Sequence, residues 1–319
     1  MSIARRALPW LALAALLVLP ALAGKFYVEL VAKIMIMAVF AMSLDLLVGV
    51  TGLVSLGHAA FFALASYMLV LAAPDPYAAM SLWTSLPLAV AASALLALAI
   101  GALALRTRGV YFIMVTLAFS QMVYFVFHDT KIAGGSDGTY LYVKPVASIG
   151  SWNPLDLGNA THFYYAMLVL LILTFGFLRL LLASRFGHAL RGIRSNEQRM
   201  RALGFNTYGY KLAAFTIAGA VAGLAGYFSA VQFGFVNPEM ASWHQSANVL
   251  LMVILGGLGN IFGAIVGAFV LVLAQDFFSS FTKHWLLLMG GFVILAVMLL
   301  PRGLVGIEAA WQHWRTRHV

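Results

Sequence analysis

A chain of 319 residues in which 63% are hydrophobic and only 9% charged carries too little polar surface to be solvated as a water-soluble globule. It contains no cysteine, which excludes both a disulfide framework and a thiolate metal site. The formal net charge of +9 calls for no acidic partner, because the placement of the cations follows from membrane topology.

Helices cross a bilayer in apolar runs of about 20 residues, and hydropathy places such runs at roughly 7–23, 28–50, 53–73, 83–105, 109–128, 162–183, 210–234, 246–258, 260–277 and 284–300. The expected fold is an all-α polytopic membrane protein of about ten transmembrane helices, eight at the least, forming one domain over 1–319. Residues 1–23 read either as the first span or as a cleavable signal peptide: Arg5 and Arg6, the apolar run from Ala7 to Leu19 and the triplet Ala21-Leu22-Ala23 fit both. In the second span Glu29 and Lys33 stand four apart, a spacing that lets them neutralise each other on a helix surface. Asp45 and His58 flank a polar, glycine-rich break formed by Gly49, Thr51, Gly52, Ser55, Gly57 and His58.

Residues 129–161 form an extracytoplasmic loop rich in turn formers. Its Gly134, Gly135 and Gly138 lack the following Lys-Ser/Thr and preceding strand of a phosphate cradle. No GxxxxGK[ST] occurs anywhere, so the chain does not hydrolyse ATP by a P-loop of its own.

Residues 184–209 form a cytoplasmic loop, and the stretch from Ser184 to Ala214 holds six of the nineteen cations. Ser195 followed by Gln198 has the capping-box form, Glu197 sits in the first turn where the helix dipole favours an acid, and Gly204 stands at a left-handed C-terminal cap. They predict a short helix of about eight residues, some 12 Å long. Leu190, Ile193, Met200 and Leu203 recur at helical spacing beside Arg191, Arg194 and Arg201, an apolar ridge framed by cations. Such a ridge suits a protein groove; a polybasic face on anionic lipid is the other reading.

Further on, Gly219-x-x-x-Gly223 and Gly263-x-x-x-Gly267 allow helices to approach closely, and Gly256, Gly257, Gly259 and Asn260 make a second break. Broken helices line cavities when they lie at membrane depth, which makes Thr51, Ser55, His58 and Asn260 candidate pathway residues; as turns at the cytoplasmic surface the same breaks would be structural. The tail at 302–319 follows. Fourteen of the nineteen cations fall on one side of this topology and four on the other, with Lys33 inside a span, so both termini are expected in the cytoplasm.

The segment GHALRGIRSNEQRMRALGFNTYGYKLAAFTIAGAVAGLAG, with DLLVGVTGLVSLGHAAFFALASYM, LRTRGVYFIMVTLAFSQMV, GGSDG, VILGGLGNIFGAIVGA and LPRGLVGI in order, resembles the LivM-type permease subunits of branched-chain amino acid ABC importers over nearly residues 30–307. Ala65-Ser66-Tyr67 departs from the expected Gly-Ala-Tyr. The resemblance implies a non-catalytic, multi-pass subunit of the bacterial inner membrane, embedded in lipid, with no cofactor or metal of its own and no nucleic acid partner. It implies as partners a homologous second permease, two cytoplasmic ABC ATPase subunits and an extracytoplasmic solute-binding protein. It makes the capped stub a coupling helix, with Arg191, Arg194, Ser195, Glu197, Arg199, Met200, Arg201, Leu203 and Gly204 as its coupling residues. The solute expected is leucine, isoleucine or valine; urea, amides, aromatic acids and other amino acids are alternatives within the superfamily. An ion-coupled carrier is less favoured, because few ionisable groups lie in mid-membrane.

Overall fold

The computed structural model of the chain describes residues 14–72, 79–131, 134–148, 156–300 and 303–304. Residues 14–22 are helical; the choice between span and signal for 1–23, and nearly all of the tail at 302–319, lie outside the described residues. The helices that follow are α1 (Lys25–Asp45), α2 (Ala59–Leu71), α3 (Leu82–Ala104), α4 (Val110–Asp129), α5 (Ala160–Ala183), α6 (Arg185–Ser195), α7 (Glu197–Ala202), α8 (Thr207–Phe233), α9 (Trp243–Gly256), α10 (Ile261–Phe281) and α11 (Trp285–Leu299). Six of them are long and apolar enough to cross a membrane: α1 with its continuation to Thr51, α3, α4, α5, α8 and α10. The protein is a multi-pass, helical membrane protein.

Among the described residues, the expected span at 53–73 is helical only from Ala59 to Leu71. α1 runs on through a π-helical stretch, Leu46–Thr51, which Gly52 closes in a left-handed conformation at φ 75°. Residues 52–58 are irregular before the 13-residue α2 begins. Irregular backbone survives among apolar spans only when protein satisfies its polar groups, and here it does. Leu56 N–H donates to Thr116 Oγ1 at 3.3 Å, Gly57 N–H to Ser55 Oγ at 3.3 Å and Ala59 N–H to Ser246 Oγ at 3.0 Å.

The same plan recurs in the second half. The long α8 ends at Gly234, then β2 (Phe235–Val236) pairs antiparallel with β1 (Thr139–Tyr140) of the 129–161 loop. A 3₁₀ turn, Pro238–Ala241, leads into the 14-residue α9. Ser120 Oγ donates to Ala241 O at 2.9 Å, and Ser242 caps α9 by accepting from Gln245 N–H. Gln232 Nε2, at the end of α8, donates to Glu29 O at the start of α1 (2.7 Å), so the two long helices are antiparallel. Each short helix runs alongside the long helix of the other half: Phe61 and Ala65 of α2 meet Gly219 and Gly223 of α8, while Gln245 and Gly259 flank α1 at Met37 and Gly49. A long helix, a break and a short helix thus occur twice in opposite senses, the arrangement of an inverted repeat.

α1 is the centre of the bundle, buried from Ile34 to Thr51 except at Met37. The small-residue patterns pack as expected: Gly219 and Gly223 face Ala97 and Ser93 of α3, and Gly263 and Gly267 face the backbone of α9.

Candidate functional site

The two glycine-rich breaks, far apart in sequence, meet. Asp45, fully buried, accepts a hydrogen bond from Gly259 N–H at 2.8 Å. A Cβ at Gly49 would overlap Asp45 Oδ1 and Gly259 N, so only glycine permits this approach. Arg194, from the last turn of α6, donates through Nη1 to Gly49 O and lays its aliphatic stem over Gly52. One guanidinium therefore joins the basic segment to the π-helical end of α1, where a widened turn leaves the Gly49 carbonyl open to an outside donor.

The basic segment is not one stub in a loop but two helices. α6, eleven residues long, buries Leu190 and Ile193 inside the chain, which removes them from the expected exposed ridge. α7 is six residues long. Its cap is Asn196, whose Oδ1 accepts from Arg199 N–H at 2.9 Å; Ser195, the expected cap, is the last residue of α6. Asn196 holds the extended backbone that an N-cap needs, at φ −157° and ψ 97°, whereas Ser195 is still helical. Gly204 is left-handed at φ 85° and closes α7 as expected: Gly204 N–H donates to Arg201 O and Phe205 N–H to Met200 O, the paired bonds of a Schellman cap.

Glu197 is the hub of α7. Its carboxylate receives Arg201 Nη2 at 2.7 Å and Lys211 Nζ at 2.6 Å, with the Thr207 hydroxyl at 3.1 Å. Burial opposes its ionisation, but the hydrogen bond and charge of Lys211, with the bonds from Thr207 and Arg201, prevail and hold the carboxyl down to about 2. The stub is thereby pinned to the first turns of α8. Met200 lies over Gly192 of α6. Leu203 is 67% exposed, and Arg199 has no side-chain partner among the described residues. Arg191, donating to Leu182 O, shares an open groove of about 500 Å³ with Asn260, Arg179 and His188.

The expected pathway residues Thr51, Ser55, His58 and Asn260 all have hydrogen-bond partners within the chain. Thr51 Oγ1 donates to Leu47 O at 2.6 Å and Ser55 accepts from Gly57. His58 is fully buried, bonded through Nε2 to Ser43 Oγ at 2.8 Å and stacked on Phe40. Asn260 caps α10, its Oδ1 accepting from Phe262 and Gly263 N–H.

None of these four lines the open cavity of about 290 Å³ between α1, the end of α8, the 237–240 turn, α9 and α10. Its polar wall holds Lys33, Gln232, Glu239, Gln245, Asn248 and Gln275. The sequence pairs Lys33 with Glu29, but Glu29 instead meets Lys25 at 3.7 Å, leaving Lys33 turned to the cavity without an ion pair among the described residues. The one signal for this site in the sequence was a lysine standing five residues inside the span at 28–50.

The family described as "Branched-chain amino acid transport system / permease component" matches residues 26–300. The chain belongs to this permease family. The permease is 33% identical over 316 residues to the high-affinity branched-chain amino acid transport system permease protein LivM of Escherichia coli K12, covering 92% of this chain and 74% of that protein. It is 31% identical over 138 residues to the autoinducer 2 import system permease protein LsrC of Photorhabdus laumondii, 41% of each chain. Against the E. coli K12 LivH permease it is 28% identical over 125 residues, 39% of this chain and 40% of that one. No solved structure matches the permease.

Proposed function

We propose that this permease is the LivM-type subunit of an ATP-driven importer of branched-chain amino acids in a bacterial inner membrane. The observation that carries the reading is the identity to LivM across 92% of the chain, and the partial match to LivH supports a homologous second permease as its neighbour. Two ATPase subunits on the cytoplasmic side and a solute-binding protein on the other complete the assembly.

In this reading α6 and α7 face the ATPases. Arg199, Met200 and Leu203 present the docking surface; Glu197, Arg201 and Gly204 hold its shape, and Ser195 ends the supporting helix. Movement of the stub is passed on by Arg194 to the π-helical end of α1, and through Asp45 and Gly259 to the start of α10. Arg191 and Asn260 border the same transmission zone, and Thr51, Ser55 and His58 keep the break between α1 and α2 in one shape while it moves. Packed elements with discrete arrangements convert such local shifts into rocking of whole helices.

The test is ATP-dependent uptake of labelled leucine with and without this chain, competed by isoleucine, valine, alanine, benzoate and urea. Loss of uptake on deletion, with competition by isoleucine and valine, is the expected result; unchanged leucine uptake overturns the solute. The match to LsrC, named for autoinducer 2 import, favours a second reading in which the same fold carries another solute. Within the coupling reading, Arg199→Ala with Leu203→Ala uncouples ATP hydrolysis from uptake while leaving insertion intact; normal uptake would refute the docking surface.

A further inference from the structure

The cavity beside α1 has a composition that selects a solute class. Its wall carries one cation, Lys33, and one carboxylate, Glu239, on different elements. Lys33 lies eight residues from the Lys25 end of α1, about 12 Å along the helix. An ammonium at that depth is costly unless it faces water or a ligand, and Lys33 has no ion pair among the described residues. Glu239, exposed at the rim, has among the described residues only the Tyr124 hydroxyl as a side-chain partner, at 3.4 Å. Between the two, Gln232, Gln245 and Gln275 offer uncharged donors and acceptors, while Ile36, Met37, Met252 and Val272 form an apolar wall.

We infer that this cavity is a transit site for a zwitterionic α-amino acid, with Lys33 taking the carboxylate, Glu239 the ammonium and the apolar wall the side chain. The inference rests on the import reading above. A sugar or urea offers no charge to either Lys33 or Glu239, an organic acid matches Lys33 alone and an amine Glu239 alone, whereas a zwitterion supplies a charge-assisted partner to both. The volume, about 290 Å³, falls at the foot of the roughly 300–1,000 Å³ range of small-molecule sites, which suits one amino acid. The segment bearing Glu239 is held by pairing of β1 with β2 and by the close seat of Gly138 against Asn237, so the loop at 129–161 sets the position of the carboxylate.

The experiment uses the complete importer, with its binding protein, in proteoliposomes, and reads solute moved per ATP hydrolysed for leucine, alanine, benzoate, urea and ribose. Lys33→Met and Glu239→Gln each lower the leucine yield per ATP about tenfold, the loss of one charge-assisted bond. Lys33→Arg retains most of it, because the charge is kept, and copurification of the complex verifies assembly of each variant. Wild-type yield in Lys33→Met, or an equal defect in Lys33→Arg, overturns the site, since a packing role is met by Met and not by charge. Wild-type carriage of urea or ribose in place of any amino acid overturns the site and the solute together. Carriage of alanine but not leucine, lost in Lys33→Met, sustains the site and refutes only the branched-chain assignment. A wild-type complex that moves none of the five refutes the import reading and this inference with it.

Discussion

Replacing Glu197 by Ala removes the acceptor that ties α7 to α8. Lys211 is 15% exposed and Glu197 23%, so their contact behaves as a charge-assisted hydrogen bond worth about 1.5–3 kcal/mol. Arg201, half exposed at i,i+4, adds about 0.3–0.5 kcal/mol. The expected loss is local, about 2–3 kcal/mol in the opening of α7 rather than of the bundle. Hydrogen exchange of the amides from 197 to 205 reads it directly. A cycle of Glu197→Ala, Lys211→Met and the double variant isolates the pair, with an expected coupling of about 1–2 kcal/mol. A coupling below about 0.3 kcal/mol would refute the pinning. The pH dependence follows in sign: folding lowers the carboxyl from 4.5 to about 2. Its stabilisation is therefore complete above pH 4.5 and is lost as pH falls towards 2. Protection of α7 that stays constant from pH 7 down to pH 2 contradicts the network.

Other substitutions test the remaining contacts by thermal unfolding in detergent or by local exchange. Asn196→Ala costs α7 about 1 kcal/mol through loss of its N-cap, whereas Ser195→Ala is nearly silent; the reverse order would restore Ser195 as the cap. Gly49→Ala forces Asp45 and the Gly259 backbone apart and costs about 1–3 kcal/mol, while Gly176→Ala, with open space around it, is neutral or slightly stabilising. Equal unfolding midpoints for these two variants would contradict the close approach at Gly49. Ser43→Ala leaves the buried His58 ring without its partner, at a cost of about 1–3 kcal/mol, seen as a lower midpoint that Ser43→Thr largely restores.

The long apolar helices were legible because hydrophobicity over about 20 residues is a strong, local signal. The caps were legible to within one residue: Gly204 stands where the pattern put it, and Asn196 displaced Ser195 because two adjacent capping residue types compete and only the preceding helix decides between them. Periodicity correctly grouped Leu190 and Ile193, yet it does not say which neighbour covers an apolar stripe, and the chain itself covers those two. The half-unwound crossing at 52–58 reads as apolar in any window, since hydropathy is blind to backbone conformation. The meeting of Asp45, Arg194 and Gly259 was out of reach because it is set by tertiary approach across the bundle. Lys33 was noticed, but the i,i+4 rule gave it the wrong neighbour: Glu29 has a second lysine four residues before it, and Lys25 is the one it meets.

The hydrogen bond from Gly259 to Asp45 spans 214 residues of chain, which orders events during synthesis. At roughly 5–20 residues per second, the Asp45 carboxyl exists for about 10–40 s before its backbone partner has been made. During that interval a carboxyl group destined for the centre of the bundle has neither Gly259 nor the Arg194 side chain near it for most of the time. The first half of the chain cannot complete this junction alone, and a fragment ending before Arg194 would hold an acid among apolar helices with neither the guanidinium nor the Gly259 N–H to receive it. Membrane insertion and final packing are therefore separate stages in this protein, and the last residues of the junction to be translated are the ones that let α1 settle.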